Sequence, residues 1–373
     1  MMKNIGFAGW RGIVGSVLLK RMLYKNDFYN TKIFFLTTSQ IGEKCPIYAN
    51  INIHPTLQDA YNIQLLLSLD IIITCQGSKY TRIIYHKLHE YGWKGYWIDA
   101  ASYLRPFPNS CIVLDPINLH VIKKKIDMGI KTFVGGNCTV SLMLMALGEL
   151  FKQNMIEWVF VSTYQAISGA GAKFIQELLL QNKFINDNIH NIINDNTLNI
   201  LTLERKIANV MENKLFPKKH LTIPLINNVI PWIDQKMNNG QTKEEWKGQF
   251  ETNKILDNKF IIPIDGICVR VPTLRSHSQS FMIKLKKELS INNITTFLQS
   301  HNKWVKIIPN DYENTKKYLT PQATNNTLNI AIGRIKKLNI DKYCFSAFTV
   351  GDQLLWGAAE PLRRIFKLLI NIF

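Results

Sequence analysis

Several features that mark other classes of protein are missing from this chain. Its six cysteines (Cys45, Cys75, Cys111, Cys138, Cys268 and Cys344) include no C-x-x-C pair, so a zinc ribbon or redox dithiol is not expected, and the thiols read as reduced. Of eight histidines only His86 and His89 stand close together, on a helical stretch with no cysteine or carboxylate set to complete a site; no metal is expected. No apolar run reaches the roughly 18 residues that a spanning helix needs, and the apolar C-terminal stretch is broken by Lys367. A charged-then-apolar leader is absent, because Lys3-Asn4-Ile5-Gly6-Phe7 already reads as a strand. These absences point to a cytoplasmic chain with no membrane partner.

Acidic residues are scarce: 27 Asp and Glu face 45 Lys and Arg, a formal net charge of +18. Such an excess by itself suggests nucleic acid, an anionic membrane or an acidic ligand. The lysines, however, are scattered with Asn and Ile along the whole chain, and the densest block is Lys123-Lys124-Lys125. The charge therefore reads as compositional drift, and no nucleic-acid partner is expected.

What is present is ordinary globular composition, with 46% hydrophobic and 19% charged residues over 373 positions, enough for two domains sharing a cleft. The first third alternates β-rich runs with helical ones. Strands are expected at Asn4 to Ala8, Ile33 to Thr37, Ile71 to Cys75, Tyr96 to Asp99, Ile112 to Leu114 and Thr132 to Val134. Several are apolar on consecutive residues, as strands covered on both faces must be, which predicts a Rossmann-like, doubly wound parallel sheet. From about 150 to 350 the strands lengthen (Trp158 to Tyr164, Gly266 to Val271, Gln279 to Lys286) and Asn-rich connections join them, predicting a second α+β domain with a mixed sheet. Leu354 to Leu369 has helical periodicity interrupted by Pro361 and is expected to return to the first domain. The domains expected are 1–137 plus 355–373, and 138–354.

Three local patterns carry chemistry. Gly9-Trp10-Arg11-Gly12-Ile13-Val14-Gly15 follows the first strand and opens the helical run Ser16 to Tyr24. Glycine turns sharply there and lets N–H groups approach a pyrophosphate at a helix N-terminus. The second strand ends on Thr37-Thr38-Ser39-Gln40, without the acid that binds ribose hydroxyls in NAD enzymes and would repel a 2′-phosphate. With Arg11 nearby, NADP is the expected cofactor.

The second pattern, Gly135-Gly136-Asn137-Cys138-Thr139-Val140, joins a strand to the helical run Ser141 to Phe151. It places Cys138 at a helix N-terminus, where main-chain N–H groups lower a thiol's pKa. The other five cysteines read as buried apolar residues. The third, Arg275-Ser276-His277-Ser278-Gln279-Ser280, is a polar island between two strands. Histidine titrates near neutrality and suits proton transfer to or from a thiol's substrate, although taken alone His277 reads as an exposed loop residue.

Together with Glu245-Trp246-Lys247-Gly248-Gln249 and Phe348-Thr349-Val350-Gly351-Asp352-Gln353, these motifs resemble aspartate-β-semialdehyde dehydrogenases of the Gram-negative bacterial type, over essentially the whole chain. The resemblance implies NADPH-dependent reductive dephosphorylation of L-aspartyl 4-phosphate to L-aspartate 4-semialdehyde and phosphate. It makes Cys138 the acyl-enzyme nucleophile and His277 the acid/base. It implies that Gln165 orients the acyl group, that Arg105, Asn137 and Lys247 hold phosphate, and that Glu244 faces the substrate ammonium while Arg270 binds the α-carboxylate. Cofactor contacts are implied for Arg11, Gly12, Ile13, Val14, Thr38, Ser39, Gln76, Gln353 and the second glycine turn Ser168-Gly169-Ala170-Gly171-Ala172. A homodimer built on the second domain's sheet is implied too. Glu244 and Lys247, three apart on a helical run, share a face; alone they read as a surface ion pair. Departures from the family pattern are Ile167, where a small residue is usual, and the Asn- and Ile-rich stretch 182–199.

Two other readings stand beside this one. Another acyl-phosphate reductase, such as an N-acetylglutamyl-phosphate or glyceraldehyde-phosphate enzyme, uses the same thioester logic, but an acetylated amine leaves Glu244 unpaired. A basic nucleic-acid-binding or redox-sensing protein has the net charge and a cysteine, but lacks a clustered basic face and a resolving thiol near Cys138.

Overall fold

A strand covered on both sides has no polar face, and the N-terminal strands meet that condition: Ile71–Thr74 is buried at every position. The computed structural model describes residues 2–49, 51–193 and 199–372; part of the Asn-rich stretch 182–199 therefore lies outside the described residues. The first sheet contains β1 (Lys3–Ala8), β2 (Thr31–Thr37), β3 (Asn52–Ile53), β4 (Gln58–Asp59), β5 (Ile71–Thr74), β6 (Tyr96–Asp99), β7 (Cys111–Val113) and β8 (Thr132–Gly135). Its order is β3-β2-β1-β5-β6-β8-β7, with β4 beside β2, and all its pairings are parallel. The order reverses between β1 and β5, which opens a crevice beyond their C-terminal ends.

The second sheet comprises β9 (Ile156–Gln165), β10 (Ile264–Arg270), β11 (His277–Leu285), β12 (Val305–Ile307), β13 (Ile330–Leu338) and β14 (Asp341–Gly351), in the order β10-β9-β11-β14-β13-β12. It is mixed: β10–β9 and β12–β13 are parallel, while β9–β11, β11–β14 and β13–β14 are antiparallel. On β9 and β11 buried residues alternate with more accessible ones along much of the strand, the pattern of a sheet with one face on the core.

The helix Cys138–Lys152 leaves β8 and runs beneath the second sheet, with Thr139 to Gly148, Leu150 and Phe151 all buried. A helix apolar all round is a core helix, and its residues share one hydrophobic cluster with both sheets. Its first residue is therefore fixed where the two domains meet. Pro361 does not interrupt a helix: it lies in the first turn of the helix Glu360–Ile370, where its missing N–H costs nothing, after a π-helical turn at Leu355–Ala359. Leu362, Ile365, Phe366 and Leu369 pack this helix into the core of the first sheet.

Candidate active site

The turn after β1 shows why glycine stands there. Gly9 has φ +73°, and a Cβ on it falls 2.5 Å from the Cys75 carbonyl carbon; one on Gly15 falls 2.1 Å from the Gly9 oxygen. The helix Ile13–Tyr24 begins with no side chain capping its N-terminus, so the N–H groups of Ile13 and Val14 are left for a ligand. A depression of about 370 Å³ is lined here by Gly9, Trp10, Arg11, Gly12, Leu36, Thr37, Thr38, Cys75 and Gln76. Arg11 Nη2 donates to Thr37 Oγ1 at 2.8 Å, which ties a cation to the end of β2. Ser39 is exposed beside this depression without lining it. The tight cradle, the open helix end and Arg11 fit the pyrophosphate and adenosine side of a dinucleotide.

The second glycine turn belongs to the other domain. Ile167–Gly169 forms a short 3-10 turn, and Gly171 (φ +114°) precedes the helix Ala172–Ile189. Gly169 lies close to His277 and Arg270: a Cβ there stands 3.4 Å from His277 Cε1 and 3.5 Å from Arg270 Nη1. Ile167 is buried with Leu178 and Leu225, so its side chain fills a small core of its own.

Cys138 is the first residue of its helix. Asn137 caps it: Oδ1 accepts from Thr139 N at 2.9 Å, Val140 N at 3.3 Å and Thr139 Oγ1 at 2.6 Å, a cap of the kind that contributes about 1 kcal/mol. Cys138 Sγ lies 3.3 Å from His277 Nε2. His277 is no loop residue; it opens β11, and its side chain is fully buried. Its Nδ1 accepts from Ala166 N at 3.0 Å, so the neutral ring carries its proton on Nε2, facing the sulfur.

Burial dominates the protonation of this pair. It pushes the Cys138 thiol up to about 12, reinforced by Glu244 and opposed by Arg270, Arg105 and Lys247. It pushes His277 down to about 3, helped by Arg270 and opposed by Glu244. The thiolate expected from the helix N-terminus is thus disfavoured, because the desolvation of the anion outweighs the helix N–H groups. The resting pair is neutral thiol and neutral imidazole.

Glu244 stands at the hub of the polar groups around the sulfur. Its Oε1 accepts from Asn137 Nδ2 at 2.9 Å and Gln165 Nε2 at 3.3 Å, and its Oε2 pairs with Lys247 Nζ at 2.8 Å. The pair is buried, with Glu244 7% and Lys247 9% exposed, so it is no surface ion pair. Burial alone would raise the Glu244 pKa; the Lys247 charge and the hydrogen bonds from Lys247, Asn137 and Gln165 hold it below the usual value. Lys247 Nζ also reaches Asp234 Oδ2 at 2.8 Å. Arg270 Nη1 donates to Ala166 O at 2.8 Å, which aims the guanidinium and leaves its other donors free for a carboxylate.

Arg105 is already engaged: Nε donates to Gly135 O at 2.8 Å, Nη2 to Gly136 O at 3.1 Å and Nη1 to Glu251 Oε1 at 2.9 Å. It wraps the turn that presents Cys138. The structure brings Cys138, His277, Asn137, Gln165, Glu244, Lys247, Arg105 and Arg270 into one connected cluster. Gln353 is buried beside the second glycine turn: Oε1 accepts from Ser276 N and Nε2 donates to Ser168 Oγ, which leaves a second N–H on Nε2. Of the cysteines read as buried, Cys45 and Cys75 are partly accessible, and Cys75 lines the depression beside Gly9.

Sequence reasoning missed Glu251, Asp234, the Ala166 N–H and Gly357. Glu251 had a signal, since positions 244, 247 and 251 share one face of the helix Lys243–Leu256. Gly357 had none: only the fold brings it to Cys138, where a Cβ falls 2.7 Å from Cys138 Cβ.

Comparison with known proteins agrees over the full length. A family model for the semialdehyde dehydrogenase NAD binding domain matches residues 4–125, and one for the semialdehyde dehydrogenase dimerisation domain matches residues 147–356. Cys138 stands in the short stretch between them. The chain is 49% identical to an aspartate semialdehyde dehydrogenase from Francisella tularensis, with a TM-score of 0.94 over 99% of this chain and 100% of that one. An aspartate semialdehyde dehydrogenase II from Vibrio cholerae, solved as a complex with ASA, is 21% identical with a TM-score of 0.77 over 100% of this chain and 99% of that one. An aspartate semialdehyde dehydrogenase from Candida albicans, solved with NADP, is 16% identical with a TM-score of 0.66 over 100% of each chain. The last two matches show a shared fold.

Proposed function

The chain belongs to the aspartate-semialdehyde dehydrogenase family, and with that as premise we propose that Cys138 and His277 carry its reaction. The observation that supports this most directly is the 3.3 Å approach of Cys138 Sγ to His277 Nε2 at the N-terminus of a buried helix. The reaction is the reductive dephosphorylation of L-aspartyl 4-phosphate to L-aspartate 4-semialdehyde and phosphate.

In the proposed sequence the Cys138 thiol passes its proton to a phosphate oxygen of the substrate and the sulfur, as the anion, attacks the acyl carbon; the C–O bond breaks, phosphate leaves with that proton and a thioester forms. When bound, the nicotinamide supplies a hydride to that acyl carbon. The resulting oxyanion collapses to the aldehyde and returns the electron pair to sulfur. Sulfur leaves as the thiolate and takes one proton from solvent to restore the thiol, which is the one proton consumed in the cycle. His277 is the acid/base partner in a specific form: its Nε2–H donates first to the sulfur anion, then to the oxygen that gains charge.

The surrounding groups sort by chemistry. Arg270 suits the α-carboxylate and Glu244 the ammonium, while Gln165 stands beside the acyl group. Arg105, Asn137 and Lys247 form the phosphate side, although Asn137 and Arg105 in this conformation also bind protein groups. Arg11, Gly12, Ile13, Val14, Thr38 and Gln76 are assigned to the cofactor's phosphates and adenosine, with Ser39 at the rim; Ser168, Gly169, Ala170, Gly171 and Ala172, with Gln353 hydrogen-bonded to Ser168, are assigned to its nicotinamide side. NADP is favoured over NAD because β2 ends in Thr37-Thr38, with no acid, and Arg11 is anchored there.

The domains are proposed as 1–137 with 355–373, and 138–354. A homodimer is proposed through the outer face of the second sheet, which leaves Phe160, Tyr164 and Ile267 exposed. Six free cysteines support a reducing, cytoplasmic setting. No helix among the described residues is long and apolar enough to cross a membrane.

The test is reduction of NADP⁺ by the purified protein with L-aspartate semialdehyde, with and without phosphate, beside Cys138→Ala. Phosphate-dependent turnover that vanishes in the variant is expected. Turnover in Cys138→Ala at the wild-type rate overturns the assignment of the nucleophile.

A further inference from the structure

We propose that Lys254 is a positioning residue for phosphate capture: its ammonium grips the main chain at Arg105, so that one helix holds both ends of that arginine. The proposal rests on the reading of Arg105 as a phosphate-binding group. Lys254 lies in the last turn of the helix Lys243–Leu256. Its Nζ donates to Arg105 O at 2.5 Å and Phe107 O at 2.7 Å, with Ser110 Oγ at 3.5 Å. Burial pushes this amine down to about 8, and the groups that meet the half-buried cation are two carbonyls and a hydroxyl. Such a placement costs desolvation and is offset by the oxygens it binds.

The segment being held has little of its own to hold it. Between β6 and β7 the chain reads Arg105-Pro106-Phe107-Pro108, and both prolines are exposed and lack an N–H. The two carbonyls that Lys254 takes belong to the residues just before them. Ser110 Oγ ties the end of the segment to Leu104 O at 2.6 Å and Phe107 O at 2.8 Å. On the opposite side Tyr103 meets His86 Nε2 at 3.0 Å through its hydroxyl, and its ring lies against Phe107. Lys254 thus supplies the contact at Arg105 itself, from the domain across the cleft.

The other end of Arg105 is held by the same helix. Glu251 accepts from Nη1 at 2.9 Å, while Nε and Nη2 donate to Gly135 O and Gly136 O. Each terminal nitrogen keeps one further N–H for an anion. A guanidinium is planar, so the aim of those two N–H groups follows from where its plane and its Cα stand. Positions 244, 247, 251 and 254 share one face of the helix: Glu251 fixes the head of Arg105, Lys254 its root, and Lys247 brings the second phosphate cation. Loss of the Lys254 ammonium frees the root, and the two cations lose their set spacing.

A double-mutant cycle separates this role from a purely structural one. The experiment compares full-length wild type, Lys254→Met, Lys254→Arg, Arg105→Lys and the double variant of Lys254→Met with Arg105→Lys, with NADP⁺ and aspartate semialdehyde and with phosphate varied. Expected for Lys254→Met are a KM for phosphate higher by about fivefold and a KM for NADP⁺ within about twofold, with the phosphate KM back to within about twofold of wild type in Lys254→Arg. Arg105→Lys keeps the charge and loses the fork, and should raise the phosphate KM by about tenfold or more. Adding Lys254→Met to it should change that value by less than about twofold, because the clamp acts through the arginine. A further rise of about fivefold in the double variant, or an unchanged phosphate KM in Lys254→Met at a lowered thermal midpoint, overturns the clamp and leaves the lysine a role in the fold alone. A wild-type phosphate KM in Arg105→Lys overturns the reading of Arg105, and the proposal with it. Should Lys254→Met fail to fold, Lys254→Gln takes its place in the same cycle. If the wild type turns over no aspartate semialdehyde, the proposed reaction fails, while the Kd for inorganic phosphate, read by calorimetry in the same variants, decides the clamp by the same ratios; no binding by the wild type sinks it.

Discussion

Glu251 holds two parts of the site with one carboxylate: Oε2 accepts from Asn137 N at 2.6 Å, and Oε1 accepts from Arg105 Nη1 at 2.9 Å. The cap of the helix that carries Cys138 and the arginine proposed for phosphate are thereby set at a fixed separation. Glu251 is 2% exposed, so water does not replace either contact.

Glu251→Gln presents an NH₂ to one of these two donors and leaves it unpaired, a loss of about 1–3 kcal/mol. With aspartate semialdehyde as substrate, the KM for phosphate should rise and kcat fall, each by about tenfold, while the KM for NADP⁺ stays within about twofold. An unchanged KM for phosphate would show that Arg105 does not depend on this carboxylate.

Gly357 packs on Cys138, the proposed nucleophile, from the π-helical turn. A Cβ at this position falls 2.7 Å from Cys138 Cβ and 3.0 Å from Cys138 Cα, and the backbone of a buried helix has no room to yield. Gly357→Ala should cost about 1–3 kcal/mol of stability by overpacking and lower kcat at least about tenfold by shifting the sulfur. Thermal unfolding and steady-state rates measure the two effects; a variant with wild-type kcat contradicts the fit described.

The ionisation of Cys138 sets the slope of its reactivity. With the thiol pushed up to about 12 by burial, alkylation of the cofactor-free protein should accelerate by about tenfold per pH unit from about pH 7 to pH 10. A plateau below about pH 9 would mean a thiolate already formed at rest.

Acid should destabilise the fold through His277. Its folded pKa is depressed from 6.5 to about 3, so the unfolded chain binds a proton that the folded chain refuses. This stabilisation is complete above about pH 6.5 and declines as pH falls towards about 3, by about 1.4 kcal/mol per unit for one full proton. Between about pH 6 and pH 5, above the usual carboxylate range, urea midpoints should fall more steeply in wild type than in His277→Asn. His301, also depressed by burial, contributes equally to both proteins, and equal slopes would place the depressed histidine elsewhere.

Much of this was legible locally. β1, β5, β6 and β8 are runs of consecutive apolar residues, and burial on both faces leaves little else for such runs to be. Cys138 carried its own signal in paired glycines before a helix. His277 did not: a polar island reads as a loop until β14 arrives alongside it, and Gly351 is far away in sequence. β13 was hidden by its own irregularity, since Arg334 has φ +53° and the register slips between Gly333 and Lys336, which breaks the alternation a strand is read by. Glu251, Asp234 and the Ala166 N–H act through partners distant in the chain, and spacing alone assigns them no role.

The burial of the helix Cys138–Lys152 against both sheets has one more consequence. A thiol mounted on a solvent-facing loop is free to shift as substrates change; the Cys138 sulfur is anchored at the head of a helix buried in the core shared by both sheets. Any new substrate preference in such a chain has to come to the sulfur, through side chains exchanged on β9, β10 and the helix Lys243–Leu256. On the proposed assignment, the Cys138 sulfur is the fixed point around which specificity is adjusted.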